Sequence, residues 1–382
     1  MKRKIAFVVP VLTPYSKPRF EILAKHSDFE LLLYIESAGF SHRPGWRIQK
    51  LNGVHTVLVH SVVMQSIANS PKFSYNIDGI RAIPYLLPFL VLKNRPDILI
   101  VCNTTELGLC YPLKRIINLK IGLIIEDTLH GYENLSYSTK RRRLPILKKA
   151  DFFIPFSLDS MNFLKNIGIR EEYIYPSSWS IDLDHFANAD PICVADIKNR
   201  LLLHDKLVIL TVCRLHLAKG ICYFLKALDL LSDNIKNKIG YIIVGSGPHE
   251  KEIREFIFQY KLKNIFLVGF KNYNDIVNYY HAADIFVLPT LQDLYSLTIM
   301  EAMASKLPVV TTPYNGAREL ISEGINGYIF DPLDFIGTKD MILTIFDKQK
   351  KLKLFGRKSY DIIRSYSHEH VMHQLGTIFS ML

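Results

Sequence analysis

Cysteine is scarce in this chain of 382 residues, and the five present, Cys102, Cys110, Cys193, Cys213 and Cys222, form no Cys-x-x-Cys pair. That spacing argues against a disulfide framework and against a zinc site, and no metal is expected. Long apolar runs are missing too. The longest uncharged one, Ile83-Pro-Tyr-Leu-Leu-Pro-Phe-Leu-Val-Leu92, is broken by prolines and too short to span a bilayer. The first residues, Met1-Lys-Arg-Lys-Ile-Ala-Phe-Val-Val-Pro10, imitate a signal peptide, but Pro10 interrupts the apolar part and no small-residue cleavage site follows. They read as a first buried strand, and a cytoplasmic protein is expected. No helix-turn-helix, zinc finger or RNP-type signature accompanies the basic charge, so nucleic acid is not an expected partner. Gly245-Ser-Gly247 lacks a third glycine and a downstream ribose-binding acid, which makes a nicotinamide cofactor a poor fit. No cofactor is expected.

What remains describes an ordered globular protein: 49% hydrophobic and 22% charged residues, in a length that suits two domains with separate cores. The net charge of +11 is concentrated in Lys140-Arg-Arg-Arg143 and Lys148-Lys149, flanking Leu144-Pro-Ile-Leu147. Basic residues around an apolar patch suit an anionic membrane surface or an acidic ligand; a solvated helix face is the plainer alternative. Short buried-strand runs recur, each followed by a polar loop and a helix. Lys4–Val9, Phe29–Ile35, Asp97–Val101, Lys120–Ile125 and Asp151–Pro155 belong to the first half, with Val54–Val59 a further candidate. Leu207–Val212, Tyr241–Pro248 ending in a glycine turn, Ile265–Phe270 running into a glycine, Ala283–Pro289 and Leu307–Thr312 belong to the second. The pattern is α/β, with a Rossmann-like domain over 1–178, a connection over 179–206, a second Rossmann-like domain over 207–366, and a helix over 367–382 able to pack back on the first. Asp182-Leu-Asp184 falls in the connection and is read as linker, since Asp-x-Asp is short and frequent.

The stretch Asp293-Leu-Tyr-Ser-Leu-Thr-Ile-Met-Glu301 follows the strand at Ile285 and opens a helix, with Thr298 and Glu301 at capping-box spacing. Ligands of doubly wound sheets sit beyond the carboxyl ends of the strands, and a helix N-terminus there suits a phosphate. Arg214 and Lys219 leave the strand at Leu207 toward the same region. Two unpaired cations there are costly unless an anion such as a diphosphate arrives. Acids on either side of a phosphate site suit a ligand with phosphate in its middle and hydroxyls at both ends, as in a sugar nucleotide.

Taken together, Arg214 with Lys219-Gly220, Val244-Gly-Ser-Gly-Pro248, Val268-Gly-Phe270, Asp293 and Glu301 with seven residues between them, and Asn315-Gly-Ala-Arg-Glu319 resemble the retaining glycosyltransferases of family 4, glycosyl transferases group 1. The match is dense over 207–331 and loose over the first half. The resemblance implies the GT-B fold, two Rossmann-like doubly wound domains facing across a cleft. The nucleotide-sugar donor would lie mainly on the second domain, and the glycan or lipid-linked acceptor on the first. It implies that Arg214 and Lys219 neutralise the diphosphate, Glu301 binds the ribose and Asp293 holds the donor sugar. Amides near Ser296, Leu297 and Thr298 would take the distal phosphate, with Gly245, Phe270 and Glu319 also lining the donor. His130 would touch the donor sugar near its reacting carbon. Three departures bear on the donor's identity: Asp at 293 rather than Glu, Tyr295-Ser296 in place of an aromatic–glycine pair, and Leu12-Thr-Pro-Tyr-Ser16 in place of a glycine-rich loop. The expected activity is metal-independent transfer of a hexose in cell-surface polysaccharide biosynthesis. A non-catalytic nucleotide-binding subunit and a sugar-nucleotide epimerase are the rivals.

Overall fold

The computed structural model describes residues 2–382 except 14, 27, 38, 41–42, 48–49, 71–74 and 134, and the side chains at 39–40, 43–47, 63–70, 75–81 and 129–130 are also outside the description. The chain divides into two compact units, Met1–Ser180 with His368–Leu382, and Ile181–Ser367.

Six strands build the main sheet of the first unit: β1 (Arg3–Val11), β2 (Phe29–Ser37), β3 (Val54–Leu58), β4 (Ile98–Val101), β5 (Lys120–Ile125) and β6 (Phe152–Pro155). They are parallel, in the order β6-β5-β4-β1-β2-β3. A parallel sheet covered on both faces needs strands that are apolar throughout, which is why β4 reads Ile-Leu-Ile-Val and is wholly buried. One face packs Val8, Tyr34, Leu99 and Leu123 with Leu107 and Phe163. The other packs Ile5, Leu33, Ile100 and Phe152 with Val371, Leu375 and Phe379 from the helix His368–Met381. An antiparallel ribbon, Val62–Ser70 with Tyr75–Ile83, stands apart from this sheet and has no counterpart in the sequence reading.

The second unit repeats the plan with β7 (Leu207–Val212), β8 (Ile239–Val244), β9 (Ile265–Gly269), β10 (Ile285–Leu288), β11 (Val309–Thr311) and β12 (Gly327–Ile329), parallel in the order β9-β8-β7-β10-β11-β12. The helix Ile221–Asp229 buries Ile221, Phe224, Leu225 and Leu228, the spacing of one helical face, against Ile209 and Tyr241. The stretch read as a connection is built into this unit from Ile181 onward. It carries the helices Leu183–Ala187 and Pro191–Arg200, the latter against Tyr273–Ala282. Asp182 caps the first of these, its Oδ1 accepting from His185 N at 3.0 Å. In each sheet, neighbouring strands send their connections to opposite edges at one point: β1 and β4 in the first, β7 and β10 in the second.

Candidate active site

The switch point of the second sheet is where its polar side chains converge. The loop leaving β7 runs from Cys213 to Gly220, and the loop leaving β10 from Pro289 to Ser296. Gly220 joins them: it adopts φ +66°, and a Cβ there would lie 1.9 Å from the carbonyl oxygen of Pro289. Leu291 N and Thr290 Oγ1 both donate to Ala218 O, at 2.7 and 2.9 Å, closing the two loops onto each other. This brings Lys219 Nζ into an ion pair with Asp293 Oδ2, the side chains 21% and 14% exposed. Ser296 Oγ donates to the same carboxylate oxygen. Asn315 Nδ2 donates to Ser296 Oγ at 3.1 Å and to Thr311 Oγ1 at 3.2 Å, buried throughout. The backbone completes the tie, with Asp293 N on Tyr314 O at 3.0 Å and Gly316 N on Asp293 O at 3.1 Å.

The helix that opens at this network spans Leu297–Ala304 with Ser296 as its N-cap residue. The Ser296 hydroxyl is spent on Asp293, so no side chain caps the first turn. The expected capping box between Thr298 and Glu301 is not formed. Because the helix starts at Leu297, Glu301 lies beyond the third helical position, 2% exposed, and accepts a 2.6 Å hydrogen bond from the Tyr280 hydroxyl. The Leu297 and Thr298 amides are thus left without a side-chain acceptor at the positive end of the helix dipole, an arrangement that favours an anion.

Other expected residues surround this centre. Gly245 has φ +139°, and a Cβ there would meet Cys213 O at 1.9 Å; Gly247 abuts Leu215 O. With Leu215 N donating to Ser246 O at 3.0 Å, the two turns lock together and hold Arg214 between Cys213 and Leu215. Arg214 is exposed and makes no ion pair among the described residues. The expectation of two unpaired cations therefore holds for Arg214 alone, since Lys219 already faces Asp293. Burial pushes the Cys213 thiol up to about 12, with Lys219 and Asp293 the charges it feels, so the glycine turn and the ion pair adjoin. Phe270 is 65% exposed just after Gly269, whose carbonyl accepts from Gly245 N at 3.0 Å. Glu319 lies in the turn Gly316–Leu320. Burial and then the Glu319 charge hold the Tyr295 phenol well above its ordinary range. His130 falls in the short helix Leu129–Glu133 of the first unit, and its side chain is outside the described residues. Asn315 was read from sequence only as the head of a motif, with no role of its own, and Tyr280 was not singled out. Asn315 had a usable signal, a polar residue before a glycine in the loop that leaves the strand Val309–Thr311; Tyr280 had none, because its role depends on a tertiary contact.

The basic stretch forms the helix Tyr137–Leu147, capped by Ser136 Oγ, which accepts from Thr139 N at 3.3 Å. Arg143 pairs with Asp127 at 2.9 Å, and Lys140 donates to Glu133 O and lies over the Tyr132 ring. Among the described residues no helix is long and apolar enough to cross a membrane.

Residues 195–361 match the family model described as glycosyl transferases group 1. That stretch carries a domain similar to the group 1 glycosyl transferases. The UDP-Gal:alpha-D-GlcNAc-diphosphoundecaprenol alpha-1,3-galactosyltransferase of Escherichia coli is 27% identical over 310 residues, covering 74% of this chain and 78% of that protein. The putative colanic acid biosynthesis glycosyltransferase WcaL of Salmonella typhimurium is 27% identical over 54% of this chain, which spans about half, 51%, of its length. Among solved structures, HepE of Anabaena in complex with UDP superposes with a TM-score of 0.79 at 18% identity, over 100% of both chains. That likeness shows the fold, and the two six-stranded parallel sheets of this chain are those of GT-B proteins.

Proposed function

We propose that the protein moves a hexose, with retention of anomeric configuration, from a nucleotide-diphosphate sugar to a sugar on a lipid-linked or glycan acceptor in the building of a cell-surface polysaccharide. The observation that carries this reading is the Lys219–Asp293–Ser296 network set against an uncapped helix N-terminus at the switch point of the second sheet. The relatives' names supply the acceptor class: one acts on a sugar linked through diphosphate to undecaprenol, another in colanic acid biosynthesis.

In the free protein Lys219 and Asp293 neutralise each other. A diphosphate offers Lys219 two charges where Asp293 offers one. On this reading the lysine transfers to the phosphate and leaves Asp293 free to accept hydrogen bonds from the donor sugar's hydroxyls. Arg214 and the Leu297 and Thr298 amides complete the charge on that side, and Glu301 takes the ribose. When the bond between the sugar's anomeric carbon and the phosphate oxygen breaks, its electron pair goes to that oxygen, and the fixed positive groups stabilise the charge where it grows. One such contact lowers the barrier by on the order of 2.7–4 kcal/mol. These groups supply the positive charge from the chain itself, so the reaction proceeds without a metal. His130 is assigned to the donor sugar. The basic helix Tyr137–Leu147 is assigned to the anionic inner face of the membrane, where its exposed Tyr137 and Lys148-Lys149 meet the headgroups.

The test is binding of uridine, guanosine and adenosine diphosphates and their sugars, with a metal chelator present, to the wild type and to Arg214→Ala with Lys219→Ala. Binding of one diphosphate series, lost in the double variant, supports the reading and names the base. Transfer is then followed with N-acetylglucosamine-diphospholipid as acceptor, and the anomeric proton coupling of the product reports retention or inversion. No binding of any diphosphate sinks the transferase reading in favour of a non-catalytic subunit.

A further inference from the structure

The network behind Ser296 can run in only one direction. Thr311 Oγ1 donates to Leu288 O at 3.1 Å, and this spends its proton. It can then only accept, and it does so from Asn315 Nδ2 at 3.2 Å. The Asn315 amide is oriented from its other end, where Oδ1 accepts from Ala317 N at 3.0 Å. The second Nδ2 proton therefore goes to Ser296 Oγ, at 3.1 Å. With a donor on that side, the one proton of the Ser296 hydroxyl is committed to Asp293 Oδ2. Thr311 and Asn315 are wholly buried and Ser296 is 6% exposed, so the whole chain of bonds is shut away from water. A buried network with every member satisfied holds a single geometry. Here it fixes one donor against one oxygen of the Asp293 carboxylate.

Both side-chain partners of Asp293 meet that same oxygen. Lys219 Nζ and Ser296 Oγ reach Oδ2, and among the described residues nothing pairs with or donates to Oδ1. The two partners differ in what a donor does to them. Lys219 is a cation on a flexible stem, which a diphosphate can draw away. Ser296 is anchored through Asn315 and stays. While it stays, the carboxylate cannot turn: Oδ2 remains directed at the scaffold and Oδ1 is the oxygen left for a ligand. To grip two neighbouring hydroxyls, a carboxylate has to present both oxygens. We infer that Ser296 is a positioning residue which, backed by Asn315 and Thr311, limits Asp293 to one hydroxyl of the donor sugar and so sets the choice of donor at a single ring position. A glycine at 296 would supply no such tether. The inference deepens the transferase reading above, on which it rests for the donor.

Calorimetric titration of the full chain tests it, first with UDP, GDP, UDP-glucose, UDP-galactose, UDP-N-acetylglucosamine and GDP-mannose. The monodeoxy forms of the best-bound sugar nucleotide follow. In the wild type, deletion of one particular hydroxyl should weaken binding about ten-fold, the loss of a hydrogen bond to a charged group. In Ser296→Ala the carboxylate is free to turn, and the penalty at that one position should largely vanish while those at other positions stay. Ser296→Thr keeps the hydroxyl at φ −86° and ψ 107°, extended backbone that suits a branched side chain, and should restore the penalty. Affinity for the bare diphosphate is the folding control and should not change, because the Ser296 amide remains in both variants. The inference is overturned if the Ser296→Ala penalties match the wild type's at every position, or if two adjacent positions change together. It is also overturned if the bare diphosphate is weakened as much as the sugar nucleotide, which marks a merely structural serine, or if no attached sugar alters the affinity of the bare diphosphate. No binding of any diphosphate to the wild type sinks the transferase reading itself, and this inference with it.

Discussion

Lys219 and Asp293 are each other's partner before any donor arrives, and that makes their substitutions unequal. On the proposed reading, Lys219→Ala removes a phosphate contact and should lower kcat/KM by roughly 10²–10³-fold, as for other fixed charges at a developing anion. Asp293→Ala instead releases Lys219. UDP alone should then bind as tightly as in the wild type or more so, while transfer collapses because the sugar loses its acceptor of hydrogen bonds. Calorimetric titration with UDP beside an initial-rate assay separates the two, and equal loss of UDP binding in both variants would refute the exchange of partners. Tyr280 acts on the same helix from behind, through its 2.6 Å bond to the buried Glu301 carboxyl. Tyr280→Phe should destabilise the second unit by about 1–3 kcal/mol. It should also weaken donor binding more than UDP-independent controls elsewhere on the helix. A denaturant midpoint unchanged from the wild type would show that this bond contributes nothing.

At the level of elements, the loops after β7 and β10 meet only because Gly220 has no side chain. Gly220→Ala sets a methyl group 1.9 Å from a carbonyl oxygen at φ +66°. The variant should cost on the order of 1–3 kcal/mol, through strain and through separation of Lys219 from Asp293. Its donor KM should rise while the first unit's melting behaviour stays unchanged. The strands were readable from sequence because parallel strands covered on both faces must be apolar runs, as in Leu207–Val212 and Ile285–Leu288. The helix Pro191–Arg200 was not, since it buries only Ile197 and so shows almost no apolar period. The Thr298–Glu301 spacing suggested a local cap, but the deciding partner of Glu301 stands 21 positions away. Motif order brought out Lys219, Asp293 and Ser296, which the structure gathers at one point. Contacts between distant elements, such as Asn315 on Ser296 or Arg19 over the Trp179 ring, carry information that no local window holds.

Across the whole molecule, three carboxyls of the first unit share a direction. Burial pushes Glu36 up to about 7, eased by a hydrogen bond to Glu106, and raises Glu106 well above its ordinary range, with Glu36 adding to it. Burial, then the Asp127 charge, pushes Glu126 up to about 7, against the pull of Arg19. A carboxyl whose folded pKa exceeds its unfolded value stabilises the fold below the unfolded value, near 4.5, and that contribution is lost as pH rises through the folded value. The melting temperature of the first unit is therefore expected to fall between about pH 5 and pH 8. Glu36→Gln, which cannot ionise, should flatten that fall. A melting temperature that rises over this range, or a slope untouched by Glu36→Gln, would refute the account.

The helix His368–Met381 belongs to the unit that begins the chain, not to the one it follows. During synthesis, then, β1 to β6 leave the ribosome long before Val371, Leu375 and Phe379 exist to cover Ile5, Leu33 and Phe152. The second unit, continuous in sequence, can finish folding while its elder neighbour still waits with one apolar face bare. For that interval the nascent first half is a natural client for chaperones, and a ribosome stalled within the second unit would release a product prone to aggregate.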